Sequence, residues 1–151
     1  MKTFENHLVF FENKIENFDK INQAISEGSV GWHIAHCTLV IVSIVNAVKA
    51  SDAETFKSKF NLKKSIIFLL KAMPRGKGKA PTRVMPIELI TKDGLLKNIE
   101  KAKEKIVELN TFDSNNFFDH PYFGNLNLKD TIKFLAIHNN HHAKIIRDIL
   151  K

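Results

Sequence analysis

The chain reads as an all-α protein, a four-helix bundle with a long crossover between its second and third helices. Three observations predict this class. Four segments carry apolar residues at alternating four- and three-residue spacings. No segment alternates with period two, and no two-residue hairpin signal sits between apolar runs. The second and third helical segments lie roughly forty residues apart, so the chain between them must cross the bundle. With 151 residues and no internal repeat or low-complexity tract, a single domain over 1–151 is expected.

The first helix is expected along Phe4, Leu8, Phe11, Ile15, Phe18 and Ile25, ended by Gly28. Ser29 can cap the second, which runs to about Ser51 with Val30, Ile34, Cys37, Ile41, Ile44 and Val48 on one stripe. Leu39, Val40 and Val45 occupy its other sides, so burial on more than one face follows. Ser51-Asp52-Ala53-Glu54 has the form of a capping box opening a short connector helix. A short apolar piece, Ile66 to Leu70, precedes a loop from Met73 to Pro86. The third long helix places Leu95, Ile99, Ala102, Ile106 and Leu109 at core spacing. Thr111 to Asn127 reads as a loop, aromatic enough to pack down, and Asn127 can cap a last helix from Leu128 to the C-terminus.

Composition narrows the function classes. An apolar share of 44% and a charged share of 26% describe a globular chain rather than a disordered one. The single Cys37 excludes an internal disulfide and suits a reducing compartment, so a cytoplasmic location is expected. No signal-peptide pattern opens the chain, and no uninterrupted apolar run approaches the ~18 residues of a membrane span. No membrane partner is expected. The net charge of +7 invites a nucleic-acid reading. However, the densest basic cluster, Arg75 to Arg83, is one loop without an aromatic stacking platform. An anionic small-molecule substrate suits it better than nucleic acid.

The chemistry concentrates in histidine. Five of the seven histidines lie in two short clusters, Trp32-His33-Ile34-Ala35-His36-Cys37 and His138-Asn139-Asn140-His141-His142. In the last helix Thr131, Leu135, His138, His142, Ile145 and Ile149 share one seam, so two imidazoles occupy core positions one turn apart. Burying neutral imidazoles costs free energy unless each finds a partner, and a shared metal ion is one. A third histidine from the second helix would complete an open three-imidazole site. Spacing leaves two candidates for it: His33 points nearer the middle of the apolar stripe, and His36 lies at its edge. Asn139 stands where the HExxH pattern needs glutamate, so a zincin-type peptidase is not expected. Cys37 falls on the buried stripe, and His120, ahead of Pro121, is expected in a loop lining the site mouth.

These motifs resemble a known family. Ser29-Val30-Gly31-Trp32-His33-Ile34-Ala35-His36 resembles the second-helix motif of the DinB-like (YfiT-like) metalloprotein superfamily, and His138-Asn139-Asn140-His141-His142 resembles its closing H-x-x-H-H motif. Pro74 to Pro81 and His120-Pro121-Tyr122-Phe123-Gly124 resemble a branch of that superfamily whose reaction is not assigned. The resemblance implies a DinB/YfiT-like bundle, often a homodimer, with a divalent metal held by His36, His138 and His142. Neutral imidazole is a good ligand for Zn²⁺ or Ni²⁺, the ions expected here, and the resemblance implies a metal-dependent thiol S-transferase acting with a low-molecular-weight thiol as the leading activity. A metal-dependent hydrolase and a non-catalytic metal- or small-molecule-binding bundle are the alternatives. Many members carry Gln three residues after the last ligand, whereas this chain has Ile145.

Overall fold

A computed structural model describes residues 2–76, 81–86 and 89–151, with side chains from residue 6 onward. Phe4, placed on the first seam by its spacing, and residues 77–80 of the basic loop lie outside the described side chains. The chain runs through α1 (Lys2–Glu12), α2 (Val30–Lys49), α3 (Leu62–Leu70), α4 (Lys92–Glu108), β1 (Phe117–His120), β2 (Gly124–Asn127) and α5 (Leu128–Ile149). Among the described residues, five α-helices and a two-stranded antiparallel sheet make a mixed α/β protein, which corrects the expectation of an all-α four-helix bundle. Among these elements, α2 packs against α4 and α5, and α1 against the same two. Their apolar faces close one core that includes Phe11, Ile34, Ile41, Ile99, Leu135 and Ile146.

The first departure is the early end of α1. The apolar spacing continues to Ile25, but the helix stops at Glu12 and tightens into a 3₁₀ turn at Ile15–Asn17. Asn13, Asn17, Asp19 and Asn22 crowd this stretch, and such side chains compete for nearby backbone groups. Asn22 does so, accepting from the Ala24 amide at 3.2 Å. The freed carbonyls then serve α2. Phe18 O accepts from Gly31 N at 2.8 Å, and Lys20 O accepts from Val30 N at 2.9 Å, satisfying two amides that a helix start leaves unpaired. Gly31 is required here, because a Cβ would lie 2.9 Å from both Phe18 O and the Ile90 side chain.

α2 begins as its sequence predicts, with the Ser29 hydroxyl accepting from Trp32 N at 3.2 Å. Among the described residues it is the one helix long and apolar enough to cross a membrane, and 67% of its most apolar window is buried against the rest of the fold. At its C-terminal end Ser51 departs from the capping-box reading. Its hydroxyl donates to Val48 O at 2.7 Å and accepts from Phe117 N at 2.9 Å, which fastens the hairpin to α2. Asp52 caps only a 3₁₀ turn, accepting from Glu54 N at 3.0 Å.

The hairpin is the second departure. Phe117 pairs with Asn127, Phe118 with Leu126, Asp119 with Asn125 and His120 with Gly124. Phe118, His120 and Leu126 turn inward while Asp119 faces out, a period of two too brief to register in the sequence. Its turn is longer than a two-residue connection. Phe123 N donates to His120 O at 3.2 Å with Pro121 second in the turn, and Gly124 follows at φ +69°.

Candidate metal centre

α2 and α5 lie side by side in the core, and their histidines meet there. His36, His138 and His142 are all buried, and one ring nitrogen of each lies within 4.8 Å of the others. His36 Nε2 and His138 Nε2 are 3.3 Å apart. Two ligands of a tetrahedral ion with N–metal bonds of ~2.0–2.1 Å would be separated by about the same distance. The one-turn spacing on α5 brings the rings of His138 and His142 to 4.6 Å between centroids, and the ring of His36 stands 4.9 Å from that of His142.

Hydrogen bonds fix which nitrogens face the centre. His36 Nδ1 lies 2.8 Å from Val84 O, in the turn Thr82–Val84 of the crossover. A carbonyl only accepts, so Nδ1 carries the proton and Nε2 presents a lone pair. The Trp32 indole stacks on the same ring, 5.1 Å between centroids and 12° between planes, and holds its rotamer. His142 Nδ1 lies 2.9 Å from His33 Nδ1, and His33 Nε2 lies 3.0 Å from Ser26 Oγ. If His33 Nε2–H donates to Ser26, His33 Nδ1 accepts from His142 Nδ1–H, and His142 Nε2 is left bare toward the centre. His138 Nδ1 has no hydrogen-bond partner, and its Nε2 meets His36 Nε2 at 3.3 Å, where the two nitrogens can share a proton or a cation.

The electrostatics favour neutral donors throughout. Burial is the main cause of every shift. It holds His138 down at about 3, helped by His36, and His33 at about 4. His142 is pushed well below the ordinary imidazole value by burial and then by its histidine neighbours. His36 is also lowered by burial, partly offset by the Val84 carbonyl. Near neutral pH all four rings are therefore uncharged, the state a metal ion requires. Three imidazole nitrogens, without thiolate or carboxylate, suit a divalent transition-metal ion. The cluster can hold a metal ion.

The other candidates fall outside this trio. His33 is 3% exposed and sits behind His142 as its hydrogen-bond partner. Its angle on α2 pointed to the core, but its pairing with Ser26 had no sequence signal. Nor had the Val84 carbonyl, a backbone group. His141 is half-buried at the rim, lowered by burial and Arg75 and supported by Met73 O. His120 comes from the hairpin, not a loop. Its ring stacks on Phe123 at 4.3 Å and meets Phe134 edge-on at 4.6 Å, and Phe134 stands 5.8 Å from His138. The Cys37 thiol is fully buried, which pushes its pKa up and keeps it protonated. His7 is half-buried beside Arg147.

His33→Ala removes the group that orients His142. Zn²⁺ or Ni²⁺ affinity should fall about 10- to 100-fold, measured by competition against a chelating dye. Unchanged affinity would mean that α5 alone holds the His142 ring. Comparisons of the chain with family models, with curated proteins and with solved structures return no match.

Proposed function

We propose that His36, His138 and His142 hold Zn²⁺ or Ni²⁺ and that the protein is a metal-dependent S-transferase acting with a low-molecular-weight thiol. The observation that carries this reading is the 3.3 Å apposition of His36 Nε2 and His138 Nε2, with His36 Nδ1 committed to Val84 O. A dication held by these three neutral donors would keep its full charge and would supply Lewis-acid chemistry, making a thiol or water at the site easier to deprotonate near neutral pH. The chain's own residues set the rest. Trp32, Val84 and His33 fix the donor rings, and the apolar lining of Val84 and Phe134 keeps bulk water from them.

Thiol is favoured over water by the surrounding charge. Among the groups that shift the four buried imidazoles none is a carboxylate, and position 139 is Asn. Hydrolysis at such a centre gains from a carboxylate base beside the attacking water, whereas a free thiol already ionises at about 8.5 and depends on such a base less. Lys71, Arg75, Asn140, His141 and Lys144 line a small recess on the flank of α5, and His36, His138 and His142 do not line it. Arg75 there is paired with Asp148, and Lys71 and Lys144 would attract the carboxylates that small intracellular thiols carry. The motif resemblance to DinB-like proteins points the same way.

The test is turnover of an aryl halide with several low-molecular-weight thiols, by protein reconstituted with Zn²⁺ or Ni²⁺. Metal-dependent thioether formation that disappears in His36→Ala is expected. Turnover of ester or amide substrates without thiol would replace this reading with a hydrolase. Tight stoichiometric metal with neither activity would leave a non-catalytic metal protein.

A further inference from the structure

α3 turns one face to the protein and another, largely apolar, away from it. Ile67 and Phe68 pack on the core, and Lys64 pairs with Asp130 of α5 at 3.0 Å. On the opposite side Leu62, Ile66 and Leu69 follow one helical stripe with Leu70 beside it, exposed by 62, 47, 81 and 67%. Phe60, just ahead of the helix, is 85% exposed. Isolated exposed apolar residues are ordinary, but a contiguous set on one helix marks a contact surface.

The charge around this face decides what it meets. Between Glu54 and Glu88 the sequence has no acidic residue and carries seven Lys and two Arg, in a chain of net charge +7. The remainder of the chain is therefore slightly negative. Lys57, Lys59, Lys63 and Lys71 are exposed around the apolar stripe, before it, beside it and beyond it. Among the described residues, Lys64 and Arg75 are the cations of this stretch that pair with a carboxylate.

We propose that α3 docks on an anionic phospholipid surface, with Leu62, Ile66, Leu69 and Leu70 entering the interface and the flanking lysines reaching the lipid phosphates. A second copy on this face would bring two positive stretches together. Lysines distributed around the rim match a laterally uniform negative surface better than the fixed pattern of an acidic protein. The contact is peripheral and revises the expectation of no membrane partner without requiring a spanning helix.

Co-sedimentation of the full chain with vesicles tests it, comparing phosphatidylcholine alone with mixtures rich in phosphatidylglycerol. Binding at least about tenfold stronger to the anionic vesicles is expected, weakening as salt is raised. Leu69→Glu with Leu70→Glu should abolish it, and Lys59→Glu with Lys63→Glu should weaken it at least about tenfold. Both variants should keep the wild-type circular dichroism spectrum and metal affinity. Equal affinity for both vesicles, no vesicle binding, or wild-type binding by the Leu69/Leu70 variant would overturn the proposal. So would a dimer in sedimentation equilibrium that this variant dissolves, or retention on polyglutamate without vesicle binding.

Discussion

His138→Ala is expected to abolish stoichiometric metal binding, lowering affinity by at least about a thousandfold, or roughly 4 kcal/mol. His138 is the ring with most to lose. It is buried, its pKa is held at about 3, its Nδ1 has no partner, and its Nε2 faces His36 Nε2 at 3.3 Å. The thermal readout separates a metal role from a structural one. In chelator the substitution removes ring contacts with His142 and Phe134, but it also removes an unpartnered buried nitrogen. These effects oppose each other, so the metal-free stability should change little, by about 1 kcal/mol in either direction. With Zn²⁺ at about a thousand times Kd, wild type should gain roughly 4 kcal/mol, which raises Tm by about 10 °C. The variant should gain nothing. His36→Ala should behave alike, since it removes the other half of the closest nitrogen pair. A variant whose Tm rises with Zn²⁺ as far as wild type would show that metal binds elsewhere, and the centre would lose its assignment.

Much of this centre is legible in the sequence because helix periodicity is a strong constraint. His138 and His142 replace core residues on a regular seam, and that spacing alone marks both imidazoles as buried. α2 is similarly legible, since Ser29 caps it and its apolar stripe has no interruption. What periodicity cannot convey is which residues approach from elsewhere. Val84 O reaches His36 from a turn forty-eight residues on, as a backbone group with no side-chain signature. Ser26 reaches His33 only because the chain abandons the helical spacing after Glu12 and folds back over the start of α2.

The two corrections have the same origin. Ile15, Phe18 and Ile25 keep helical spacing, yet the polar residues between them favour local backbone hydrogen bonds, and α2 offers unpaired amides that reward the exchange. The hairpin strands have four residues each, shorter than any window in which alternation can be recognised. Their turn is marked by Pro121 and Gly124 rather than by an adjacent pair of turn residues. Both segments are defined by tertiary contacts. The face of α3 belongs with them, because the sequence marks Ile66 to Leu70 only as a short apolar piece, while the fold sets Leu62, Ile66, Leu69 and Leu70 outward.

The metal-free protein is expected to lose stability steeply as pH falls from 6.5 toward 4.5. His33 and His120 are each held at about 4 and His138 at about 3, in every case chiefly by burial. In the unfolded chain the same groups titrate near 6.5. Between these limits the unfolded chain binds protons that the folded protein refuses, so the stability of the fold rises with pH and is lost on acidification. A group moved from 6.5 to about 4 is worth on the order of 3 kcal/mol once the pH reaches the lower value. Against a total of about 5–15 kcal/mol for a domain, two or three such groups bring it close to unfolding. Acidic groups contribute little in this window, because Asp148 and Glu108 are lowered by their lysine and arginine partners and stay ionised above 4.5. Urea unfolding in chelator at a series of pH values measures the slope. His120→Phe keeps a ring among Phe118, Phe123 and Phe134 and should reduce the slope by close to one proton. Stability that stays flat or increases on acidification would mean that these histidines are protonated in the fold, and neutral imidazole donors could then not be claimed for the centre.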